Sequence, residues 1–446
     1  MFNFGRVRGF FISNNNFKLH PAVATLIAQI ACHNNSLPQG SPCSPIISDL
    51  ITHAFDMRVI KLMKKYKCTY SRYADDLTIS TNRIEFPKQL AYQFEDGSSA
   101  WIPGKSILDV FNRSGFSLNH KKTRMQYRGS RQVVTGLIVN KKVNVRAEYY
   151  RAARSMCRSL FEHGYFYLPS LNGPPPAGKL AQLEGVIDHI YYIKHNEKVR
   201  TKVIPRDSEY HGIELLYRRF LAFKKFVALK KLLILTEGKT DNIYLRAAIR
   251  RLTKYRGTLT TIVGGKAECA VSLFEHSDIT RTVLGLDGGS SYIPPFLHSY
   301  EKIMREFNYA PILHPVIILI DNDSGADKIF AAMRQLKLTV NNSSTAPFYQ
   351  IKCNLYVIKT PELAPNWTSQ IEDLFDAKTL STTRNGKKFN KANDVETTTE
   401  YGKSIFADYI VAPNSDKIDF SGFELLLDRI VATMTDHARR VAAGLI

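Results

Sequence analysis

The sequence has no long apolar runs. None reaches the roughly 18 consecutive residues of a membrane span, and no signal-peptide pattern opens the chain. Its six cysteines (32, 43, 68, 157, 269, 353) are far apart and form no CxxC pair. That excludes a disulfide frame and a cysteine zinc site, and fits buried thiols in a reducing cytoplasm. The twelve histidines form no HxH or HExxH, and no Gly-rich Walker loop is present, which argues against ATP hydrolysis. Acidic residues are few: 40 against 61 Lys plus Arg, a net charge of +21 over 446 residues. The first acidic residue is Asp49.

The acid deficit is uneven. Residues 1–230 carry 35 basic and 16 acidic side chains, and residues 231–446 carry 26 and 24. The first half therefore reads as a polyanion-binding surface, with nucleic acid as the commonest partner. The shift supports a domain boundary near 230, in a chain long enough for two or three domains.

Apolar spacing predicts helices through 1–30 and 46–65, two short strands around a tight turn at 68–80, a helix at 104–115 and a hairpin at 123–145. Helices are expected at 146–164 and 178–195, separated by a loop containing Pro174, Pro175 and Pro176. A basic amphipathic helix follows at 209–231. Beyond it, strands at 232–236, 258–263, 282–286, 316–320 and 354–359 alternate with helical segments, the signature of a parallel sheet. The last 27 residues read as an amphipathic helix.

Tyr73-Ala74-Asp75-Asp76 falls on the tight turn. Adjacent carboxylates repel, and a divalent cation relieves that repulsion. Mg²⁺ prefers carboxylate and phosphate oxygens, and polymerases place two such ions across the transferred phosphate. Upstream, LPQGSPCSPIISDL (37–50) offers Gly40 for close backbone approach to a nucleotide and Gln39 for its sugar or base. Downstream, GFSLNHKKTR (115–124) offers Lys121 and Lys122 for phosphates, and VVTGLIVN (133–140) lies on a hairpin.

These four motifs, in this order, resemble the palm of reverse transcriptases of the bacterial retron type, over about residues 1–230. The resemblance implies metal-binding palm carboxylates at Asp75 and Asp76, and places Tyr73 beside the incoming nucleotide. It puts Gln39, Gly40 and Lys121 at the nucleotide site. Val134, Thr135 and Gly136 match a signature used near the family's structured RNA. Segment 146–230 becomes the thumb, where Leu183-Glu184-Gly185 opens a helix gripping the duplex. Arg151, Arg154, Arg158, Lys194, Lys198 and Arg200 then lie against phosphates. The family's palm has a third catalytic Asp just before a stretch like FNFGRVRGFF, here residues 2–11. That ligand and the fingers are expected to be missing, and synthesis by this chain alone is expected to be very weak or absent.

A second set of carboxylates follows apolar strands. LLILT runs into Glu237, and VIILI runs into Asp321-Asn322-Asp323. In extended chain the two Asp side chains of Asp-x-Asp point the same way. Strand carboxyl ends are where α/β sheets place their sites, so the three carboxylates can converge on one Mg²⁺. This pattern resembles the Toprim fold of topoisomerases, primases and overcoming-lysogenization-type nucleases, over about 231–330. The resemblance implies that Glu237 acts as acid/base and that Asp321 and Asp323 bind metal. Glu372 or Asp373 is a further candidate ligand. Asp241 either stabilises the first loop or caps the next helix. Gly264-Gly265-Lys266 and Asp287-Gly288-Gly289 read as tight loops that approach phosphate or as ordinary turns, and Lys387, Lys388 and Lys391 as a solvated loop, with a substrate contact the alternative.

The expected fold is α+β followed by α/β: a reverse-transcriptase palm (1–145), a helical thumb and connector (146–230), and a Toprim-like parallel-sheet domain with a C-terminal extension (231–446). The implied partners are a structured non-coding RNA, its branched RNA–DNA product and a nucleic-acid target of the Toprim domain. Mg²⁺ is the implied cofactor, the bacterial cytoplasm the location, antiphage defence the role, and a homo-oligomer stays open. Three readings compete: polymerase plus nuclease, an RNA–DNA binding module carrying a nuclease, and a topoisomerase- or primase-like enzyme.

Overall fold

Asn3 accepts the Arg6 N–H at 2.8 Å and so starts helix α1 (Phe4–Ser13). Helix α2 (Pro21–Ala31) begins on proline, whose fixed φ suits the first turn. A loop then leads to α3 (Ser44–Tyr66), which stops at Lys67 in left-handed backbone (φ 55°). The start of α3 shares a core with α1 and α2 through Val7, Phe11, Ala24, Ala28 and Ile47. The chain is described by a computed structural model covering residues 2–93, 100–170, 172–195, 212–307, 312–340, 343–364, 367–392 and 395–446. It divides into two units, 1–146 and 147–446.

The rest of the first unit is built on the second half of α3. Strands β1 (Thr69–Tyr73) and β2 (Asp76–Ser80) pair antiparallel, from Thr69 opposite Ser80 to Tyr73 opposite Asp76. A small hairpin follows, β3 (Ala91–Gln93) with β4 (Trp101–Pro103), then α4 (Lys105–Arg113). Phe55, Val59 and Met63 of α3 bury against Ile107 and Phe111 of α4, with Tyr70, Leu77 and Ile79 of the β1–β2 hairpin packed on that cluster. Last comes the two-residue ladder of β5 (Val133–Val134) and β6 (Leu137–Ile138).

The second unit opens with α5 (Ala147–His163), α6 (Leu180–His195) and α7 (Ile213–Ala222), which pack on one another. Helix α7 widens into a π-helical turn, Phe223–Val227, and ends there. The expected helix over 209–231 is thus shorter, and its first three residues lie outside those described, as do Lys198 and Arg200.

The sheet is assembled from β7 (Leu233–Thr236), followed by α8 (Lys239–Arg251), the hairpin β8 (Thr260–Val263) and β9 (Lys266–Cys269), and β10 (Ser272–Leu273). After α9 (Ile293–Met304) come β11 (Val316–Ile320), α10 (Ala326–Gln335), β12 (Tyr349–Lys352) and β13 (Leu355–Lys359). The order is β10-β7-β11-β13-β12; the first four are parallel and β12 is antiparallel at the edge. β7, β11 and β13 are buried throughout, which explains their mainly apolar sequences, with Thr236 and Lys359 the polar ends of β7 and β13. Short elements α11 (Ala377–Leu380), β14 (Lys388–Phe389), β15 (Glu400–Tyr401) and α12 (Lys403–Ile405) precede the C-terminal helix α13 (Glu424–Ala442). Helix α13 buries Leu426, Leu427 and Ile430 in the core of this sheet.

Two expected strands are corrected. Residues 282–286 are not a strand: Thr280–Leu284 is a π-helical turn closed by Gly285 at φ 75°. Residues 260–263 are a strand, but in a separate hairpin whose turn is Gly264-Gly265, both at positive φ. The strand next to β7 is instead the two-residue β10. Among the described residues no helix is long and apolar enough to cross a membrane.

Candidate functional site

In the first unit, a two-residue turn, Ala74-Asp75, joins β1 to β2. Ala74 has φ 49°, a conformation that tight hairpins usually give to glycine. Tyr73, Asp75 and Asp76 are all exposed at this tip, Tyr73 by 73%. The tip is held from below by Arg72. Its guanidinium donates to Ala74 O at 3.1 Å, pairs with Asp49 at 3.1 Å and with Asp56 at 2.8 Å. Tyr70 also donates to Asp56, at 2.7 Å. Burial pushes Asp56 up, but Arg72 and Tyr70 outweigh it and hold the carboxyl below its ordinary range.

Of the other residues expected at a nucleotide or RNA site in this unit, Gln39, Gly40, Lys121, Thr135 and Gly136 are exposed and Val134 is half-buried. Gln39 and Gly40 lie in the loop before α3, and Gly40 has φ 90°. Lys121 sits in a turn where its N–H donates to the Asn119 side chain at 3.2 Å. Val134 ends β5, and Thr135 and Gly136 form the β5–β6 turn with φ 47° and 89°. A β-branched residue in left-handed backbone is costly, so Thr135 marks the tip as specialised. In the second unit, Arg151, Arg154 and Arg158 project from the solvent side of α5, opposite buried Ala153, Met156, Cys157 and Leu160. Arg158 also pairs with Glu162 at 2.8 Å.

The second acidic set lies at the carboxyl ends of β7 and β11. The parallel register pairs Thr236 with Leu319, so Glu237 follows opposite Ile320, one residue before Asp321. Glu237 Oε1 accepts the Asp321 N–H at 3.1 Å, and Asp321 Oδ1 accepts the Ile371 N–H at 2.9 Å. Asp323 accepts from Gly325 N–H at 2.8 Å and from the Gln370 amide at 3.1 Å. Asp241 caps α8 through the Gly238 N–H at 2.8 Å, which settles its structural role. Glu372 is fully buried and pairs with Lys403 at 3.1 Å. Asp373 pairs instead with Lys391 at 2.5 Å.

Burial, reinforced by neighbouring carboxylates, pushes Glu237 up to about 7, Asp321 up to about 8 and Asp241 up to about 6. The donor set therefore suits a hard divalent cation: it is all oxygen, it is under mutual repulsion, and the buried Glu372 Oε1 has no hydrogen-bond partner. Among the described residues, however, no three such side chains already converge as a metal site. Lys403 supplies positive charge within electrostatic reach of Glu372, Asp321 and Asp241.

Several supporting residues were not visible in the sequence. Thr236 O, just before Glu237, accepts from Tyr292 OH at 3.1 Å and from His276 Nε2 at 3.1 Å. Gly289 N–H donates to Glu237 O at 2.7 Å, so the Asp287-Gly288-Gly289 loop braces this strand end. Asn322, between the two Asp residues, is bound on several sides. Its N–H donates to Thr360 Oγ1 at 2.9 Å, its amide to Trp367 O at 2.7 Å, and the fully buried Lys359 reaches its Oδ1 at 3.4 Å. Only the apolar strands and the Asp-x-Asp spacing signalled this region. Lys403 and Tyr292 carry no local signal, because their partners lie far away in sequence, and Lys359 reaches Asn322 across 37 residues.

Residues 19–149 match the reverse transcriptase (RNA-dependent DNA polymerase) family. The chain is 36% identical over 114 residues to a retron Mx162 reverse transcriptase of Myxococcus xanthus, covering 26% of this chain and 23% of that protein. It is 30% identical over 140 residues to a retron Ec86 reverse transcriptase of Escherichia coli, covering 31% and 40%. Over 46 residues it is 50% identical to a retron Ec83 reverse transcriptase of Escherichia coli, covering 10% and 15%. The matched regions thus span 40% or less of these relatives. The chain contains a retron-type reverse transcriptase domain, as the four ordered motifs implied.

Proposed function

We propose that the first unit is the palm of an RNA-directed DNA polymerase that copies a structured non-coding RNA into a branched RNA–DNA product. The observation that carries this is the exposed Asp75–Asp76 pair on a turn clamped by Arg72, inside the segment that matches the reverse transcriptase family. In this reading Asp75 and Asp76 hold Mg²⁺, which lowers the barrier by stabilising charge on the transferred phosphate. Tyr73 and the Gln39–Gly40 loop orient the nucleotide, Lys121 meets its phosphates, and the Val134–Gly136 tip meets RNA. The α5 arginines lie along the backbone of the product duplex, in the thumb proposed for 146–230. Primer extension on an RNA template tests this. Slow incorporation by the parent chain should disappear in Asp75→Asn/Asp76→Asn while RNA–DNA binding persists. Incorporation that survives the double variant overturns the assignment. Hybrid binding with no incorporation by the parent replaces it with a binding module.

A second activity is favoured by the carboxylates at the ends of β7 and β11. We infer that 231–446 is a Toprim-like, Mg²⁺-dependent nuclease in which Glu237, Asp321 and Asp323 hold the metal, acting as an effector in antiphage defence. Within this reading Glu237 also exchanges a proton with the attacking or leaving oxygen. The half-buried Lys403 offers charge to a phosphate. Glu237→Gln should lower cleavage of a nucleic-acid substrate at least 100-fold without loss of binding. Undiminished cleavage removes the assignment.

A further inference from the structure

Gly164 ends α5: its N–H bonds Leu160 O at 2.9 Å and its φ is 80°. The chain then runs extended, and its side chains alternate. Tyr165 is 57% exposed, Phe166 is 2% exposed, and Tyr167 is 54% exposed. Phe166 is locked inward against Gly178, where an added Cβ would lie 2.0 Å from its ring. The return strand is in register, with Leu168 N–H on Pro176 O and Gly178 N–H on Phe166 O, both at 2.9 Å. The segment therefore cannot slip and turn its tyrosines inward.

The result is a row of exposed rings. His163 and Tyr165 have centroids 6.0 Å apart, and Tyr165 and Tyr167 5.8 Å apart. Two large rings held in solvent by a buried residue between them gain nothing for the core. The same register sets the exposed Lys179 opposite Tyr165, and the exposed Lys230 lines a depression of about 300 Å³ together with Tyr165. Arg158 stands one helical turn before Glu162 and His163 on α5. Rings flanked by cations complement bases joined by phosphates; Glu162, the acid at hand, is paired to Arg158 and lies 3.9 Å from His163 Nε2.

We propose that His163, Tyr165 and Tyr167 form a stacking platform for unpaired bases of a single-stranded nucleic acid, with Lys179 and Lys230 beside its phosphates. Stacking is tolerant of sequence, since every base has a face to offer. The platform needs neither set of carboxylates, and its assay needs no catalysis.

The probe is a fluorescein-labelled oligothymidylate, compared by anisotropy with an abasic strand of equal length. Tyr165→Ala/Tyr167→Ala in the full chain should weaken the base-bearing probe roughly tenfold or more and leave the abasic probe unchanged. Tyr165→Phe/Tyr167→Phe should keep the parental affinity, and the melting temperature should not move, because both rings are exposed. A 5-iodouracil strand should crosslink to one of the three rings. Unchanged affinity in the alanine variant, or equal loss with both probes, overturns the proposal. Self-association that the alanine variant abolishes, with oligonucleotide affinity intact, assigns the face to a second copy and also overturns it.

Discussion

Arg72 satisfies Ala74 O, Asp49 and Asp56 at once, with its own side chain only 12% exposed. Replacing it by Met leaves Asp56 half-buried without its cation, which should cost about 3 kcal/mol of stability in denaturant unfolding. Arg72→Lys should recover part of that, but not the forked contact with Asp56. Ala74→Gly tests the neighbouring strain: relieving φ 49° should raise stability by about 0.5–1 kcal/mol. At this scale the sequence showed the two carboxylates and their turn. It did not show the clamp, because Arg72 reaches back to α3 at Asp49 and Asp56. Pairing across 16 or more residues leaves no local spacing to read.

The C-terminal helix is anchored to the sheet by a buried ionic triad. Lys359, at the end of β13, pairs with Glu362 at 2.9 Å, and Arg429 of α13 donates to Lys359 O at 3.0 Å and pairs with Glu362. Burial pushes Glu362 up, but Lys359 and Arg429 outweigh it, so its folded value lies below the unfolded one. Its contribution to stability is therefore complete above the ordinary glutamate range and fades as pH falls below about 4. Thermal unfolding across pH 3–7 should show this acid limb, and Glu362→Gln should flatten it while lowering stability at neutral pH. Where α13 begins, a Cβ on Gly422 would lie 2.3 Å from Leu374 O. The sequence disclosed β7, β11 and β13 because strands buried on both faces are mainly apolar. The same rule misread Thr282–Leu286, an apolar run that Gly285 turns back on itself, and missed β10, whose two residues are too few to show a period.

Over the whole molecule, charge follows the proposed division of labour. Residues 1–230 hold nearly all of the +21, and the segment around the second acidic set is close to neutral. Replacing Arg151, Arg154 and Arg158 together by Ala should weaken RNA–DNA duplex binding and lower the slope of log affinity against log salt by about 2–3. No such change is expected for variants at Glu237 or Asp321. The central claim is that one chain carries two separate phosphoryl-transfer sites. The most direct measurement follows nucleotide incorporation and nucleic-acid cleavage in the same Mg²⁺ reaction, using Asp76→Asn and Glu237→Gln chains. The account predicts that Asp76→Asn loses incorporation but keeps cleavage, and that Glu237→Gln does the reverse. If either substitution abolishes both activities in a folded chain, or neither activity, the account is contradicted.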